Sequence, residues 1–341
     1  MFGNHAYPTF QVFLAIFVAM VIAIVLMPAF IKLLTRRHIG QEVRADGPST
    51  HLVKQGTPTM GGLVILVAVT IAVLLLAPLD AALWLVLLST LATGALGFVD
   101  DASKVLKKRS LGLTPKAKLL MQALISTVFC LFAVNSVGIP ATISFPFVHW
   151  TLDLGVLTTH VGGFAIPWLY VIFVFLLMAG LSNAVNLTDG LDGLAGGTVM
   201  IVMAAMAAIA FRSDHLDVAV FSAACAGACI GFLWFNCYPA SIFMGDTGSL
   251  ALGTALAGVA VICKAEVCSL IIGGLFVVEA LSVLIQVLHF KRTKKRVFLM
   301  APIHHHFEKK GWSETKVVIR FWIITGMFAC LGFAMYFAGT L

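Results

Sequence analysis

The sequence predicts an all-α polytopic integral membrane protein, and three observations predict it. Of 341 residues, 60% are apolar and only 11% are charged. Ordinary soluble domains carry about 25% charged residues, more than twice that share. The apolar residues gather in runs of about 20, long enough to cross a hydrocarbon core of ~30 Å. Finally, 20 of the 22 Lys and Arg residues fall in alternate connecting segments, the asymmetry expected of helical membrane proteins. A soluble enzyme, a disordered chain and a secreted disulfide scaffold are excluded.

Ten transmembrane helices are expected. The first, about 10–34, is interrupted only by Pro28 and follows no basic segment, so it reads as a retained helix rather than a signal peptide. The second, about 58–77, opens at Pro58 and the Gly61-Gly62 pair, a turn leading into a helix. The third, about 82–99, runs into Asp100-Asp101, and the fourth, about 117–137, emerges from a basic loop. Residues 141–153 partly alternate apolar and polar, which predicts a short β-hairpin over the outer surface before a fifth span at about 167–185. The remaining spans fall at about 194–211, 217–236, 248–263, 267–289 and 317–338.

With ten spans, segments 32–57, 100–118, 186–193, 237–247 and 289–320 share one side of the membrane, leaving only Arg212 and Lys264 opposite. A wrong count would scatter the charges over both faces. The basic side is therefore cytoplasmic and both termini lie outside, on the periplasmic face. The loops themselves cover about 35–57, 100–116, 186–193, 237–247 and 290–316. The net charge of +7 is mostly this topology signal, and it leaves a surface suited to anionic headgroups or a phosphorylated substrate rather than to nucleic acid. No repeat or low-complexity tract divides the chain, so 1–341 reads as a single domain. The seven cysteines show no spacing typical of a zinc site or a disulfide framework.

Each cytoplasmic loop carries one polar cluster, and the outer loops hold nothing comparable. Asp100 and Asp101 are adjacent carboxylates at a membrane boundary, followed by Lys104, Lys107, Lys108 and Arg109. They are either a solvated helix end or a Mg²⁺ and phosphate site, since hard oxygens suit Mg²⁺ and lysines suit phosphate. Asn186, Asp189 and Asp192 recur every three residues, which on a helical turn places them on one face, able to read a sugar or a base. Small-residue helix packing explains the glycines around them but not the acids. Asp246, between Gly245 and Gly248, is a third carboxylate for a metal site or a simple N-cap of the eighth span. His304, His305 and His306 are consecutive and cannot all face one ion, so they fit hydrogen-bond donors to phosphate or sugar better than zinc ligands. Lys54 precedes the second span, where a helix N-terminus beside a lysine can hold an anion. No Walker A loop, kinase signature or nucleophile elbow is present. Together these groups point to Mg²⁺-dependent phosphoryl transfer in a cleft on the cytoplasmic side.

The motifs Gly97-Phe-Val-Asp-Asp101, Asn186-Leu-Thr-Asp-Gly-Leu-Asp-Gly193 and Phe243-Met-Gly-Asp-Thr-Gly-Ser249 closely resemble those of the polyprenyl-phosphate N-acetylhexosamine-1-phosphate transferases. Pro302-Ile-His-His-His-Phe-Glu308 resembles the phospho-N-acetylmuramoyl-pentapeptide transferase branch. The resemblance runs from about Arg44 to Arg320-Phe-Trp. It implies ten helices, a homodimer in the bacterial inner membrane and both termini outside. It implies transfer from UDP-MurNAc-pentapeptide to undecaprenyl phosphate, giving lipid I and UMP in peptidoglycan synthesis, and competition by nucleoside antibiotics at the uridine site.

By matching motif, the resemblance makes Asp246 the leading Mg²⁺ ligand, with Asp101 also at the metal and Asp100 beside the lipid phosphate. Lys104 and Lys116 match lysines near the nucleotide or pyrophosphate. Asn186, Asp189 and Asp192 match the nucleotide side of the cleft, and Phe243 matches an aromatic stacking on uracil. Lys54, Gln286 and the three histidines, His305 most central, line the remaining groove. Direct attack by the lipid phosphate, with Asp100 positioning it or taking its proton, is favoured over a covalent phosphosugar on Asp100 or Asp101.

Two other readings compete. A sibling transferase would use UDP-GlcNAc or another UDP-hexosamine, against which the histidine motif argues. A transporter or flippase would place its ionisable groups near the bilayer midplane, whereas Glu279 is the only acid well inside a span.

Overall fold

The computed structural model describes residues 7–37, 40, 56–107, 112–145, 148 and 150–339. Helices dominate: α1 (Pro8–Arg36), α2 (Gly62–Leu76), α3 (Ala81–Leu106) and α4 (Pro115–Phe132), which continues as a π-turn over Ala133–Val137. Four short strands follow, β1 (Thr142–Phe145), β2 (Trp150–Asp153), β3 (Thr158–Val161) and β4 (Phe164–Pro167). The rest is helical again: α5 (Trp168–Thr188), α6 (Leu194–Arg212), α7 (Leu216–Asn236), α8 (Gly245–Ile262), α9 (Glu266–Ile272), α10 (Gly274–Thr293), α11 (Ile303–Lys309) and α12 (Glu314–Ala338).

Among the described residues, nine helices are long and apolar enough to cross a membrane, so the chain is a multi-pass membrane protein. The segment expected as the second span is shorter, with α2 only 15 residues long, about 22 Å at 1.5 Å per residue. Its first residues are drawn out of the helix. Pro58 accepts a hydrogen bond from Phe243 N, while Gly61 and Gly62 donate to Phe243 O and Met244 O. The segment expected as one span over 267–289 is two helices, α9 and α10, broken at Gly273. Here α12 presses on the break: a Cβ on Gly274 would stand 2.8 Å from the Phe328 ring. The one expected hairpin is a pair of hairpins, with β1 antiparallel to β2 and β3 antiparallel to β4. The second turns through Gly162 and Gly163, both at positive φ, the conformation that tight two-residue hairpin turns demand. Lys264, one of the two basic residues expected outside, donates to Pro140 O and Thr142 O and pairs with Glu266 at 2.7 Å, which ties β1 to the α8–α9 turn.

Small residues let the helices approach closely, as membrane helices do when no hydrophobic force pushes them together. Ala15, Ala19 and Ala23 of α1 are fully buried, and a Cβ on Gly227 of α7 would come within 2.1 Å of Ile16 O. The middle of the bundle is α8, buried from Thr247 to Ile262 and packed against α3 and α5. Gly253 meets the α5 backbone and Gly97 of α3 meets the backbone of Asp246, where a Cβ would lie 2.3 Å from the carbonyl oxygen. This last contact brings the end of α3 and the start of α8 into one site.

Candidate active site

Helix α3 does not stop at the acidic pair. It continues to Leu106, so Asp100 and Asp101 project from a helix rather than from a loop beginning near 100. Asp101, almost fully buried, reaches across to the first turn of α8. Its Oδ1 accepts from Asp246 N at 3.2 Å, and its Oδ2 accepts from Thr247 N at 2.9 Å and Thr247 Oγ1 at 2.7 Å. A carboxylate on otherwise unpaired N–H groups, at the positive end of a helix, is favourable by hydrogen bonding and dipole alike. The cap of α8 is thus Asp101 from another helix, which leaves Asp246 in the first turn free to point at the site.

Asp246 lies between two lysines and an amide. Its Oδ1 is 3.1 Å from Lys104 Nζ and accepts from Asn186 Nδ2 at 3.0 Å, and its Oδ2 is 2.6 Å from Lys118 Nζ. Asn186 is held in turn by Ser249 Oγ at 2.8 Å. Asp100, fully buried, accepts from Leu113 N at 2.6 Å and stands 3.1 Å from Lys118 Nζ. Its Oδ2 pairs with Lys104 Nζ at 2.8 Å. Loop residue Gly112 folds over this carboxylate, where a Cβ would sit 2.3 Å from Oδ1. Asp100, Asp101 and Asp246 offer ligand oxygens all within 4.8 Å of one another, the one such group among the described residues.

Lys118 was not singled out by motif, and Lys116 was. On α4 they are two positions apart, roughly 200° around the helix; Lys116 is exposed and Lys118 turns inward. A signal existed. Lys118, Gln122 and Ser126 follow at i, i+4 and i+8, one polar stripe on an otherwise apolar helix, and Gln122 and Ser126 are buried.

The trio Asn186, Asp189 and Asp192 does not share a helix face, because α5 ends at Thr188. Asn186 remains on the helix and faces Asp246. Asp189 lies just beyond it, its carboxyl pushed up to about 7 by burial and by the charges of Asp246, Asp101 and Asp192, against a hydrogen bond from the Gly245 backbone. Asp192 is engaged by the neighbouring loops: its Oδ2 accepts from Ala240 N at 3.0 Å and its own N donates to Glu314 Oε1 at 2.8 Å. It braces two loops.

Phe243 is partly exposed beside the site, its backbone tied to Pro58 and Gly61. Gln286 clamps the loop after α10, with Oε1 accepting from Val297 N and Phe298 N at 3.0 Å and Nε2 donating to Phe298 O. The histidines part company. His304 is fully buried with Nδ1 3.1 Å from Glu279 Oε1, His305 Nδ1 meets Glu308 Oε2 at 2.6 Å, and His306 Nδ1 accepts from Leu299 N at 3.1 Å. Lys54 lies outside the described residues.

A family model described as glycosyl transferase family 4 matches residues 83–264. The phospho-N-acetylmuramoyl-pentapeptide-transferase signature 1 matches residues 54–66, of which Pro58, Gly61 and Gly62 hydrogen-bond to the residues leading into α8. The chain is 47% identical over 330 residues to the phospho-N-acetylmuramoyl-pentapeptide-transferase of Geobacillus kaustophilus, covering 95% of this chain and 98% of that one. The enzymes of Rubrobacter xylanophilus and Neisseria gonorrhoeae are 46% and 47% identical over 96% of this chain, and over 98% and 93% of their own. The chain belongs to the phospho-N-acetylmuramoyl-pentapeptide-transferase family. The acidic motifs that carried the resemblance are the ones the fold assembles: in this phospho-N-acetylmuramoyl-pentapeptide-transferase family member, α3, α4, α5 and α8 each deliver at least one side chain to the carboxylate–lysine cluster.

Proposed function

We propose that the chain transfers phospho-MurNAc-pentapeptide from UDP-MurNAc-pentapeptide to undecaprenyl phosphate, releasing UMP and forming lipid I. Near-full-length identity to phospho-N-acetylmuramoyl-pentapeptide-transferases supports the reaction. The observation that carries the chemistry is the packing of three carboxylates and two ammonium groups into one cluster at the ends of α3, α4 and α8.

Both reactants are anionic, so the first task is to lower their repulsion while holding them in line. Lys104 and Lys118 are suited to it because Lys104 already bridges three carboxylates and Lys118 two. Their ammonium groups are therefore in place before substrate arrives, and preorganised charge costs no rearrangement at the transition state. An oxygen of the lipid phosphate forms a bond to the β-phosphorus of the sugar nucleotide as the bond to the bridging oxygen breaks, and UMP carries that electron pair away. Asp100, a buried carboxylate held between Lys104 and Lys118, is placed to orient the attacking phosphate or take its proton. The proton demand is small, since a phosphomonoester with a second pKa near ~6 is mostly dianionic at neutral pH.

The donor set fits Mg²⁺, being three carboxylates with hard oxygens. Asp246 and Asp100 have oxygens turned to the site. Asp101, the expected second ligand, has both oxygens engaged by α8, so it holds Asp246 in place while still offering an oxygen to the ion. A bound Mg²⁺ supplies Lewis-acid polarisation of a phosphoryl oxygen. The same proposal includes ten spans with both termini outside, a site facing the cytoplasm, a homodimer, uridine contacts from Phe243 and Asp189, and competition by nucleoside antibiotics.

The test is UMP release by detergent-purified protein with undecaprenyl phosphate and Mg²⁺, comparing UDP-MurNAc-pentapeptide with UDP-GlcNAc, and with Asp246→Asn as control. Turnover of the muramoyl substrate alone, lost in the variant and blocked by a nucleoside antibiotic, is expected. Turnover of UDP-GlcNAc instead would move the chain to a sibling activity.

A further inference from the structure

Helix α10 contains one acidic residue, Glu279, and it is fully buried. A carboxylate inside a membrane-spanning helix is expensive unless something compensates it. The compensating group is His304 of α11, also fully buried, with Nδ1 3.1 Å from Glu279 Oε1. Neither side chain makes a hydrogen bond among the described residues, so this close polar contact is what each has. An apolar pair of the same volume would fill this space at lower cost, so filling space does not explain the pair.

The far edge of the His304 ring rests on Gly190. A Cβ there would stand 2.3 Å from Nε2, 2.9 Å from Cε1 and 3.4 Å from Cδ2. Gly190 directly follows Asp189 in the turn that ends α5, where Gly190 N donates to Thr188 O at 2.9 Å. A continuous line of contact therefore runs from α10 through the imidazole to the backbone beside Asp189. His304 cannot itself meet substrate, because no part of it is exposed, unlike the partly exposed His305 and Glu308 next to it.

We infer that Glu279 is a positioning residue that acts through His304 to set the Asp189–Gly190 turn, and with it the affinity for the sugar nucleotide. The inference rests on the functional reading above, in which Asp189 stands on the nucleotide side of the cleft. It assigns the first histidine of the motif to the support of that turn rather than to contact with substrate.

Three variants of the full-length protein test it: Glu279→Leu, which keeps volume but removes the partner of His304; Glu279→Gln, which keeps a polar oxygen beside Nδ1; and Gly190→Ala, which leaves the pair intact and drives a methyl group into the ring. KM and kcat for UDP-MurNAc-pentapeptide and KM for undecaprenyl phosphate are read from UMP release, with calorimetric binding of UDP-MurNAc-pentapeptide alongside. Glu279→Leu and Gly190→Ala should each weaken the sugar nucleotide about tenfold, a loss of ~1.4 kcal/mol. The kcat and the lipid-phosphate KM should stay within about threefold, and Glu279→Gln should remain near the parent. Equal losses in all three parameters would mean a merely structural pair and overturn the inference. So would a Gly190→Ala protein with unchanged affinity, whatever Glu279→Leu does. A parent that binds the sugar nucleotide without releasing UMP would sink the functional reading while the binding data still judge the turn; a parent that does neither would sink both.

Discussion

Replacing Lys118 by Met should tighten cation binding and slow the reaction, two opposite effects from one lost charge. Lys118 Nζ stands 2.6 Å from Asp246 Oδ2 and 3.1 Å from Asp100 Oδ1. A divalent ion on either oxygen, at a metal–oxygen distance of ~2.1 Å, would lie about 4 Å from that ammonium. Unit charges at ~4 Å interact by about 1 kcal/mol at the dielectric of water, so a +2 ion and a +1 ammonium repel by about 2 kcal/mol. That is roughly 30-fold in affinity. The lysine side chain is 21% exposed, which makes the aqueous figure a floor. Met keeps the length of the stem and leaves Lys104 in place. Half-saturating Mg²⁺ should therefore fall about 30-fold, while losing one of two cations facing anionic reactants should lower kcat by about 10²–10³. Manganese titration by electron paramagnetic resonance reads the first quantity, and UMP release at saturating Mg²⁺ reads the second. Unchanged or weaker cation affinity would refute the charge argument, and a normal kcat would refute the part given to Lys118.

Other perturbations follow from the same geometry. Asp189, held up at about 7, binds its proton more tightly in the folded chain than in the unfolded one, where a carboxyl titrates near ~4. Its contribution to stability is therefore fully present below about pH 4 and lost as pH rises through about 7. Asp189→Asn should raise the thermal midpoint in EDTA more at pH 8 than at pH 5.5, while weakening turnover; an equal shift at both values would contradict this. Gly97→Ala would put a methyl group 2.3 Å from Asp246 O, so α3 and α8 must part. A loss of about 1–3 kcal/mol and most of the activity is expected, whereas Gly180→Ala, with nothing within 4 Å, should melt and turn over like the parent. Asp192→Ala removes the acceptor for Ala240 N and should cost about 1–2 kcal/mol; Asp192→Asn, which can still accept, should lose less, as thermal unfolding of the two would show.

The membrane class was legible in the sequence because burial in lipid demands long apolar runs, and insertion demands a charge asymmetry. Both are written locally, residue by residue. Asp100, Asp101 and Asp246 were legible for a related reason: carboxylates at a membrane boundary are costly enough to need a function. What sequence order does not carry is which way a side chain turns once neighbouring helices meet. Lys116 and Lys118 are equally basic, and only the packing of α4 against α5 and α3 turns Lys118 inward. Asn186, Asp189 and Asp192 keep a helical spacing, yet the glycines at 190 and 193 end the helix, so Asp192 becomes a brace. Asp101 caps a helix 145 residues further along the chain, and Glu279 finds its partner in His304 of another helix. The break at Gly273 shows the same division: the glycine pair is visible in the sequence, but the seating of Phe328 of α12 against Gly274 is not. Composition and periodicity determined that this chain is a membrane bundle with acidic clusters at the ends of apolar runs. The close approach of α3 to α8 decided which of those acids meet, because only the packed backbone brings distant residues within reach of one ion.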